Sequence, residues 1–303
     1  MKILGMVLAG GKGTRLHPLT AEHAKPAVPF AAGYRIIDFV LGNLVNSRVS
    51  PIFVIGQYKP RSLIEHIRTA WAPRSTGPTS AISVVVPAAD GRSPEFGGTA
   101  DAVYRNLNLI EAHKPDVVAV FAADHVYRMD VRQMARFHRE RGADVSIAAV
   151  RVPLSQASSF GIVAAGPAGE LREFREKPER PAPIPTAPDH AYASMGNYIF
   201  NPPALVELLE EANRARRTDF GRHIMPTLPC RRSAWVYDFS RNRIPGVQPH
   251  EERGYWRDIG TLDAYRAAQR DVLGPAPRFS LDNPKWPIRA DVSRVRETAA
   301  MLA

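Results

Sequence analysis

An apolar run at Ile3-Leu4-Gly5-Met6-Val7 passes directly into Leu8-Ala9-Gly10-Gly11-Lys12-Gly13-Thr14-Arg15-Leu16, and few folds accommodate that junction. A buried strand must end there in a turn tight enough to need glycines at 10, 11 and 13. With Lys12 and Arg15 inside the turn, backbone N–H groups and two full positive charges face outward, which reads as a cradle for phosphates. The residue order excludes two common alternatives. A dinucleotide fingerprint needs G-x-G-x-x-G with an acidic residue about 20 positions on, and a Walker loop needs Ser or Thr where this chain has Gly13. Taken alone, the loop also suits an ordinary Gly-rich turn after a first strand.

Strand-like runs at Leu4–Leu8, Ile52–Ile55, Ile82–Val86 and Val117–Ala122 alternate with helix-like stretches near Ile36–Asn46, Ser62–Trp71, Thr99–Ile110 and Val131–Arg141. The alternation predicts an α/β fold, a Rossmann-like, doubly wound mixed sheet that is mainly parallel. Such sheets bind ligands at the carboxyl ends of their strands, where Gly10-Gly11 and Ala123-Asp124 fall. Beyond Val145–Val152 the strands shorten (Gly161–Ala165, Leu171–Glu176, Ser194–Phe200), the pattern of a mixed-sheet half carrying a second substrate. Helices are expected at Pro203–Arg216 and Thr261–Val272. Ala72–Ser80 and the Pro-rich Lys177–Pro188 read as loops. Residues 1–273 are expected to form one catalytic domain, and 274–303 a tail ending in a short helix at Val292–Leu302.

Composition narrows the function classes. With 303 residues, 45% of them hydrophobic, the chain can bury a full core. A single cysteine, Cys230, excludes an intramolecular disulfide framework and suits a reducing cytoplasm. No apolar stretch approaches the roughly 18 residues of a membrane span. The net charge of +10 raises nucleic-acid binding, yet only seven of the 40 basic residues are lysine and the arginines are dispersed with no recognised binding module. No nucleic-acid partner is expected. Three of the scarce lysines sit in motifs.

Asp124, after the apolar run Val120-Phe121-Ala122-Ala123, is a strand-end carboxylate suited to holding Mg2+ beside phosphates. Asp258, in Tyr255-Trp256-Arg257-Asp258-Ile259-Gly260-Thr261, is either its partner or a cap for the following helix. Lys177, in Glu176-Lys177-Pro178, is either a point charge for a sugar phosphate or a solvated turn lysine. Gly97-Gly98-Thr99-Ala100-Asp101 brings bare backbone to the start of a helix.

In order and spacing these pieces resemble the sugar-1-phosphate nucleotidylyltransferases, most closely the bacterial ADP-glucose pyrophosphorylases. The resemblance runs from Ile3 to about Ala290 and includes Ala24-Lys25-Pro26-Ala27-Val28, Arg35-Ile36-Ile37-Asp38-Phe39, Ala123-Asp124-His125-Val126-Tyr127, Ala193-Ser194-Met195-Gly196-Asn197-Tyr198, Asp219-Phe220-Gly221 and Asn283-Pro284-Lys285-Trp286-Pro287-Ile288-Arg289. It implies the nucleotide-diphospho-sugar transferase, GT-A-like fold and the transfer of a nucleotidyl group from ATP to glucose 1-phosphate, with pyrophosphate released. Leu8, Ala9, Gly10, Gly11, Lys12, Gly13 and Thr14 would then bind the nucleotide, with Gly98, Thr99 and Asp101 beside it. Arg15, Lys25 and Asp124 would be catalytic, and Asp124 and Asp258 would hold Mg2+. Gly161, Glu176, Lys177, Ser194, Tyr198, Asp219 and Trp256 would hold the sugar phosphate. A homo-oligomer is compatible with the family.

The chain departs from those relatives in three places. The Pro-Ala-Gln-Gln-Arg-like loop becomes Pro87-Ala88-Ala89-Asp90-Gly91-Arg92, and an aromatic-plus-Arg pair becomes Phe96-Gly97. Relatives continue past Trp286-Pro287-Ile288-Arg289 into a left-handed β-helix, of which residues 274–303 would be a remnant. A further position, Glu22, varies among those relatives, some of which put an activator-binding lysine there. These departures keep two alternatives open: a paralogue that activates a cyclitol (pseudosugar) phosphate with ATP or GTP, and a catalytically inactive regulatory subunit.

Overall fold

The computed structural model describes residues 1–31, 33–71, 81–87, 95–229 and 231–289. The Ala72–Ser80 loop, all but the first residue of the Pro87–Arg92 loop, Cys230 and the expected helix at Val292–Leu302 lie outside the described residues.

The strands, in chain order, are β1 (Ile3–Ala9), β2 (Pro29–Phe30), β3 (Tyr34–Arg35), β4 (Ile52–Gly56), β5 (Ile82–Val85), β6 (Val117–Ala122) and β7 (His125–Tyr127). They continue with β8 (Val145–Pro153), β9 (Gly161–Ala165), β10 (Leu171–Glu176), β11 (His190–Phe200), β12 (Ala234–Asp238) and β13 (Trp256–Asp258). The helices are α1 (Ile37–Asn46), α2 (Pro60–Ala70), α3 (Thr99–Tyr104), α4 (Leu107–His113), α5 (Val131–Glu140), α6 (Pro202–Arg214) and α7 (Leu262–Val272). The fold is α/β with a mixed sheet, as the alternation predicts. No helix among the described residues is long and apolar enough to cross a membrane.

The chain divides into two compact units. The first comprises Met1–Met6, Glu95–Phe121 and Arg132–Asn242; the second comprises Val7–Pro94, Ala122–Val131 and Arg243–Ala303.

In the first unit the strand order is β10-β9-β11-β6, with β8 pairing both β11 and β12; β1, next to β6, is divided, with Ile3–Met6 in this unit and Val7–Ala9 in the other. The long strand β11 runs antiparallel to β6, β8 and β9. Its register against β8 slips between Ser194 and Tyr198, around Gly196 at φ 66°. In a regular strand, residues four apart are separated by about 13 Å. The bulge shortens that path, and the Ser194 and Tyr198 hydroxyls come to 3.5 Å. The helix expected over Thr99–Ile110 is two helices, α3 and α4. The break follows from Asn106, whose side-chain amide donates to Ala102 O at 2.8 Å and takes the carbonyl its own backbone N–H would use. That N–H turns to Val103 O.

In the second unit β1, β4 and β5 are neighbours, and β4 and β5 run parallel. A separate antiparallel pair joins β7 to β13, with Asp258 opposite His125 and Trp256 opposite Tyr127. The core beneath that pair includes Leu16, Phe30, Phe39, Val126, Ile259, Phe279 and Ile288. Part of the expected tail is therefore packed. Gly42 on α1 admits the chain at Ile288, whose Cα would lie 3.5 Å from a Cβ at Gly42. Asn43 bonds the Tyr127 carbonyl, the Met129 N–H and the Trp286 indole.

Candidate active site

The glycine-rich loop of the second unit leaves β1 at Ala9. Gly13 adopts a left-handed conformation, φ 66°, and a Cβ there would stand 2.9 Å from Lys25 Cβ. Glycine is therefore required for both backbone and space. A Cβ at Gly11 would meet nothing within 4 Å, so the loop is open on that side. Lys12 Nζ lies 4.9 Å from the centre of the Tyr58 ring. Arg15 is exposed on a single 3₁₀ turn whose neighbour, Leu16, is anchored in the core.

Lys25 is buried and fixed from both ends of its turn. Ala24 N donates to Ser62 Oγ at 3.0 Å, and the Arg35 guanidinium donates to Ala27 O at 2.5 Å. The Lys25 ammonium thereby reaches Asp124 Oδ2 at 2.5 Å. Burial alone would push the Asp124 carboxyl up, but Lys25, His125 and the hydrogen bonds it accepts outweigh burial and hold it well below the usual carboxylate range.

Asp124 lies two residues beyond the end of β6, and Asp258 ends β13. One ligand atom from each of Asp124, His125 and Asp258 lies within 4.8 Å of the others. His125 Nε2 is 3.5 Å from Asp124 Oδ1 and 3.7 Å from Asp258 Oδ1. Two carboxylates at this spacing suit a hard divalent cation that completes its shell with phosphate oxygens and water. The alternative role for Asp258 is removed, because α7 is capped by Thr261, whose hydroxyl accepts from Ala264 N at 3.2 Å. A Cβ at Gly260 would stand 2.8 Å from Asp258 Oδ2 and 3.6 Å from Arg15 Nη2, so this carboxylate and the guanidinium border one small space.

Alternation along β13 separates two tasks. Trp256 and Asp258 face His125, with the Trp256 and His125 rings 5.0 Å apart. Tyr255 and Arg257 face the other way into an ion network. Arg257 bonds Asp271 at 2.9 Å and Glu252 at 2.8 Å, Tyr255 bonds Asp271 at 3.1 Å, and Arg278 meets Glu252 at 2.6 Å.

A second cluster lies in the first unit. The Glu176 carboxylate sits between two glycines: a Cβ would approach Oε2 to 3.0 Å from Gly161 and to 2.8 Å from Gly221. The Tyr198 hydroxyl is buried beside Ser194, and burial, reinforced by the Glu176 and Asp219 charges, pushes its pKa up. It stays a neutral hydrogen-bond donor. Asp219 caps the following turn through Arg222 N at 2.9 Å and accepts from Thr99 Oγ1 at 3.2 Å. Lys177 takes φ 47°, its side chain half exposed and its ammonium 3.6 Å from Glu176.

The nucleotidyl transferase family matches residues 4–274. The chain belongs to that family. This nucleotidyl transferase is 51% identical to a glucose-1-phosphate adenylyltransferase of Thermodesulfovibrio yellowstonii over 95% of its own length and 70% of the relative's. It is 48% identical to the enzyme of that name from Thermus thermophilus, over 95% and 71%, and 47% identical to that of Mycolicibacterium smegmatis, over 95% and 72%.

Within the nucleotidyl transferase, the residues expected at the phosphates and the metal (Gly10 to Arg15, Lys25, Asp124 and Asp258) all belong to the second unit. Gly161, Glu176, Lys177, Ser194, Tyr198 and Asp219 belong to the first. Trp256, expected with the latter set, lies in the second unit against His125. Gly98, Thr99 and Asp101, expected beside the nucleotide, lie in the first, where Asp101 accepts from Gly97 N at 2.8 Å and so braces its own loop. The sequence reading overlooked His125 as a member of the carboxylate cluster, although its place directly after Asp124 was a usable signal. It also overlooked Arg35 and Ser62, whose contacts with the Lys25 turn no local pattern announces.

Proposed function

We propose that the chain catalyses Mg2+-dependent transfer of a nucleotidyl group from a nucleoside triphosphate, ATP first, to a sugar 1-phosphate, glucose 1-phosphate first, yielding an NDP-sugar and pyrophosphate. The observation that carries this reading is the convergence of Lys25, Asp124, His125 and Asp258 in the second unit, which also holds the glycine-rich loop. The names of the curated relatives support the substrate pair. Residues 1–273 act as the catalytic domain, and the tail beyond it buttresses α1 through Trp286 and Ile288. With one cysteine in 303 residues, we assign the enzyme to the cytoplasm.

In this reading an oxygen of the sugar phosphate attacks the nucleotide α-phosphorus in line. The bond from that phosphorus to the oxygen bridging to the β-phosphate breaks, and pyrophosphate departs. Asp124 and Asp258 would hold Mg2+, which when bound neutralises charge on the phosphate oxygens. Loop N–H groups from Gly10 to Thr14 orient the phosphates. Lys25 and Arg15 stabilise the negative charge that builds up as the leaving group separates. Because Lys25 is already fixed by Ser62 and Arg35 through its turn, little reorganisation accompanies the step. In the first unit, Glu176, Ser194, Tyr198 and Asp219 present a mixed set of acceptors and neutral hydroxyls suited to sugar hydroxyls, and Lys177 supplies a cation for the acceptor phosphate.

The experiment is a matrix of five nucleoside triphosphates against glucose 1-phosphate and cyclitol phosphates with Mg2+, scored by pyrophosphate release from the purified protein. Fastest release with ATP and glucose 1-phosphate is the expected result. A cyclitol phosphate favoured over glucose 1-phosphate would move the assignment to the pseudosugar paralogue. Absence of release with every pair would overturn the enzymatic reading in favour of a regulatory subunit.

A further inference from the structure

Within the first unit, the hydroxyl of Thr99 is used twice, both times on the segment that carries Asp219. It donates to Asp219 Oδ2 at 3.2 Å and accepts from Phe220 N at 3.0 Å. The other Asp219 oxygen accepts from Arg222 N at 2.9 Å, so both carboxylate oxygens are tied. The two segments are locked together by backbone as well. Ala100 N and Asp101 N both donate to Thr218 O, at 2.8 and 3.1 Å, and Thr218 N and Asp219 N both donate to His223 Nδ1, at 3.2 and 3.1 Å. A Cβ at Gly98 would stand 2.5 Å from Thr218 O, and one at Gly97 would stand 3.1 Å from Thr218 Cγ2. Only glycine allows this approach of one backbone to another.

Family resemblance assigns Thr99 to the nucleotide and Asp219 to the sugar phosphate, yet their side chains are bonded to one another. We infer that Thr99 is a positioning residue for the acceptor side: its hydroxyl fixes the rotamer of Asp219, and through Asp219 the recognition of the sugar 1-phosphate. This inference rests on the proposed role of Asp219. A hydroxyl donating to a carboxylate removes one of the orientations in which that carboxylate would otherwise turn toward solvent. Losing it affects acceptor binding selectively, because the interaction ends on Asp219 and not on a phosphate-loop residue. The Gly97–Asp101 loop then answers to the acceptor as well as to the nucleotide.

Thr99→Ala, Thr99→Val, Thr99→Ser, Asp219→Asn and the Thr99→Ala/Asp219→Asn double variant, assayed by pyrophosphate release with ATP, glucose 1-phosphate and Mg2+, test this. Loss of a hydrogen bond to a charged group predicts a rise of about tenfold in the glucose 1-phosphate KM for Thr99→Ala and Thr99→Val. The ATP KM should stay within about twofold, Thr99→Ser should restore the wild-type KM, and the double variant should be no worse than Asp219→Asn alone. Thr99→Ser retains the hydroxyl and loses only a methyl, so it keeps the comparison alive if the alanine variant is unstable. A rise confined to the ATP KM, or strict additivity in the double variant, would overturn the inference while leaving Asp219 at the sugar. An unchanged glucose 1-phosphate KM in Asp219→Asn would instead overturn the reading of Asp219, and the role of Thr99 with it.

Discussion

The two units assemble polar side chains by opposite means. In the second unit, opposed full charges meet: an ammonium on a carboxylate at 2.5 Å, a second carboxylate and an imidazole close by, and a glycine loop open on one side. In the first, hydroxyls and carboxylates are tied by hydrogen bonds of 2.9–3.5 Å. A methyl at Gly98, Gly161 or Gly221 would come within 3.0 Å of backbone or side-chain atoms, as it would at Gly13 and Gly260 in the second unit. In the proposed function the contrast would follow from the two substrates, phosphate charge being met by counter-charge and sugar hydroxyls by directional hydrogen-bond partners.

The comparison breaks most visibly at Asp124. Asp124→Asn should lower kcat by about a thousandfold, about 4 kcal/mol of barrier, with the sugar-phosphate KM changed much less. Near-normal turnover would remove the metal-centred half of the contrast. Glycine pairs sharpen it next. Gly98→Ala drives a methyl onto the Thr218 carbonyl and should cost about 2 kcal/mol, read as a lower midpoint in chemical denaturation. Gly11→Ala meets nothing within 4 Å and should leave that midpoint unchanged while raising the KM for the nucleoside triphosphate several-fold. Equal loss of stability in both variants would mean that the loop is as tightly packed at Gly11 as the first unit is at Gly98.

A smaller effect follows from pH. In the first unit His138 is buried on α5 with Nδ1 3.0 Å from Ser146 Oγ, and burial lowers its pKa from 6.5 to about 4. The folded protein keeps this imidazole neutral where the unfolded chain takes up a proton. Its contribution is therefore fully present above about pH 6.5 and is lost progressively as the pH falls toward about 4. Denaturation midpoints measured between pH 7.5 and 4.5 should decline, and His138→Asn should flatten the decline. The last change is Trp286→Phe, which removes the indole bond to Asn43 together with part of a buried ring and should cost about 1–2 kcal/mol, seen as a modest shift in midpoint with KM values unaltered.

Much of the second unit's polar clustering was legible because it is local. A strand that ends in glycines and cations, or in a lone aspartate, announces itself within nine residues. The spacing also predicts β6 and β9 to within a residue or less. The helix over Thr99–Ile110 was misread as continuous because its break depends on one side chain, Asn106, competing for a carbonyl four residues back. Asp258 stayed ambiguous until Thr261 proved to be the cap, since both residues have cap chemistry and only geometry chooses between them. The ties between Thr99 and Asp219, and between Arg35 and the Lys25 turn, were invisible for a different reason. They join segments brought together by topology, and periodicity reports which face a residue takes, never which loop it will meet.

Strand β13 is only three residues long, and its two faces carry opposite charge: Asp258 toward the imidazole of His125, Arg257 toward Glu252 and Asp271. A slip of one position along β7 would place the Arg257 guanidinium where the Asp258 carboxylate now lies, turning the proposed cation site from attractive to repellent. The same slip would separate Arg257 from Glu252 and Asp271, so the wrong alignment costs ion pairs on one face as it spoils the proposed metal site on the other.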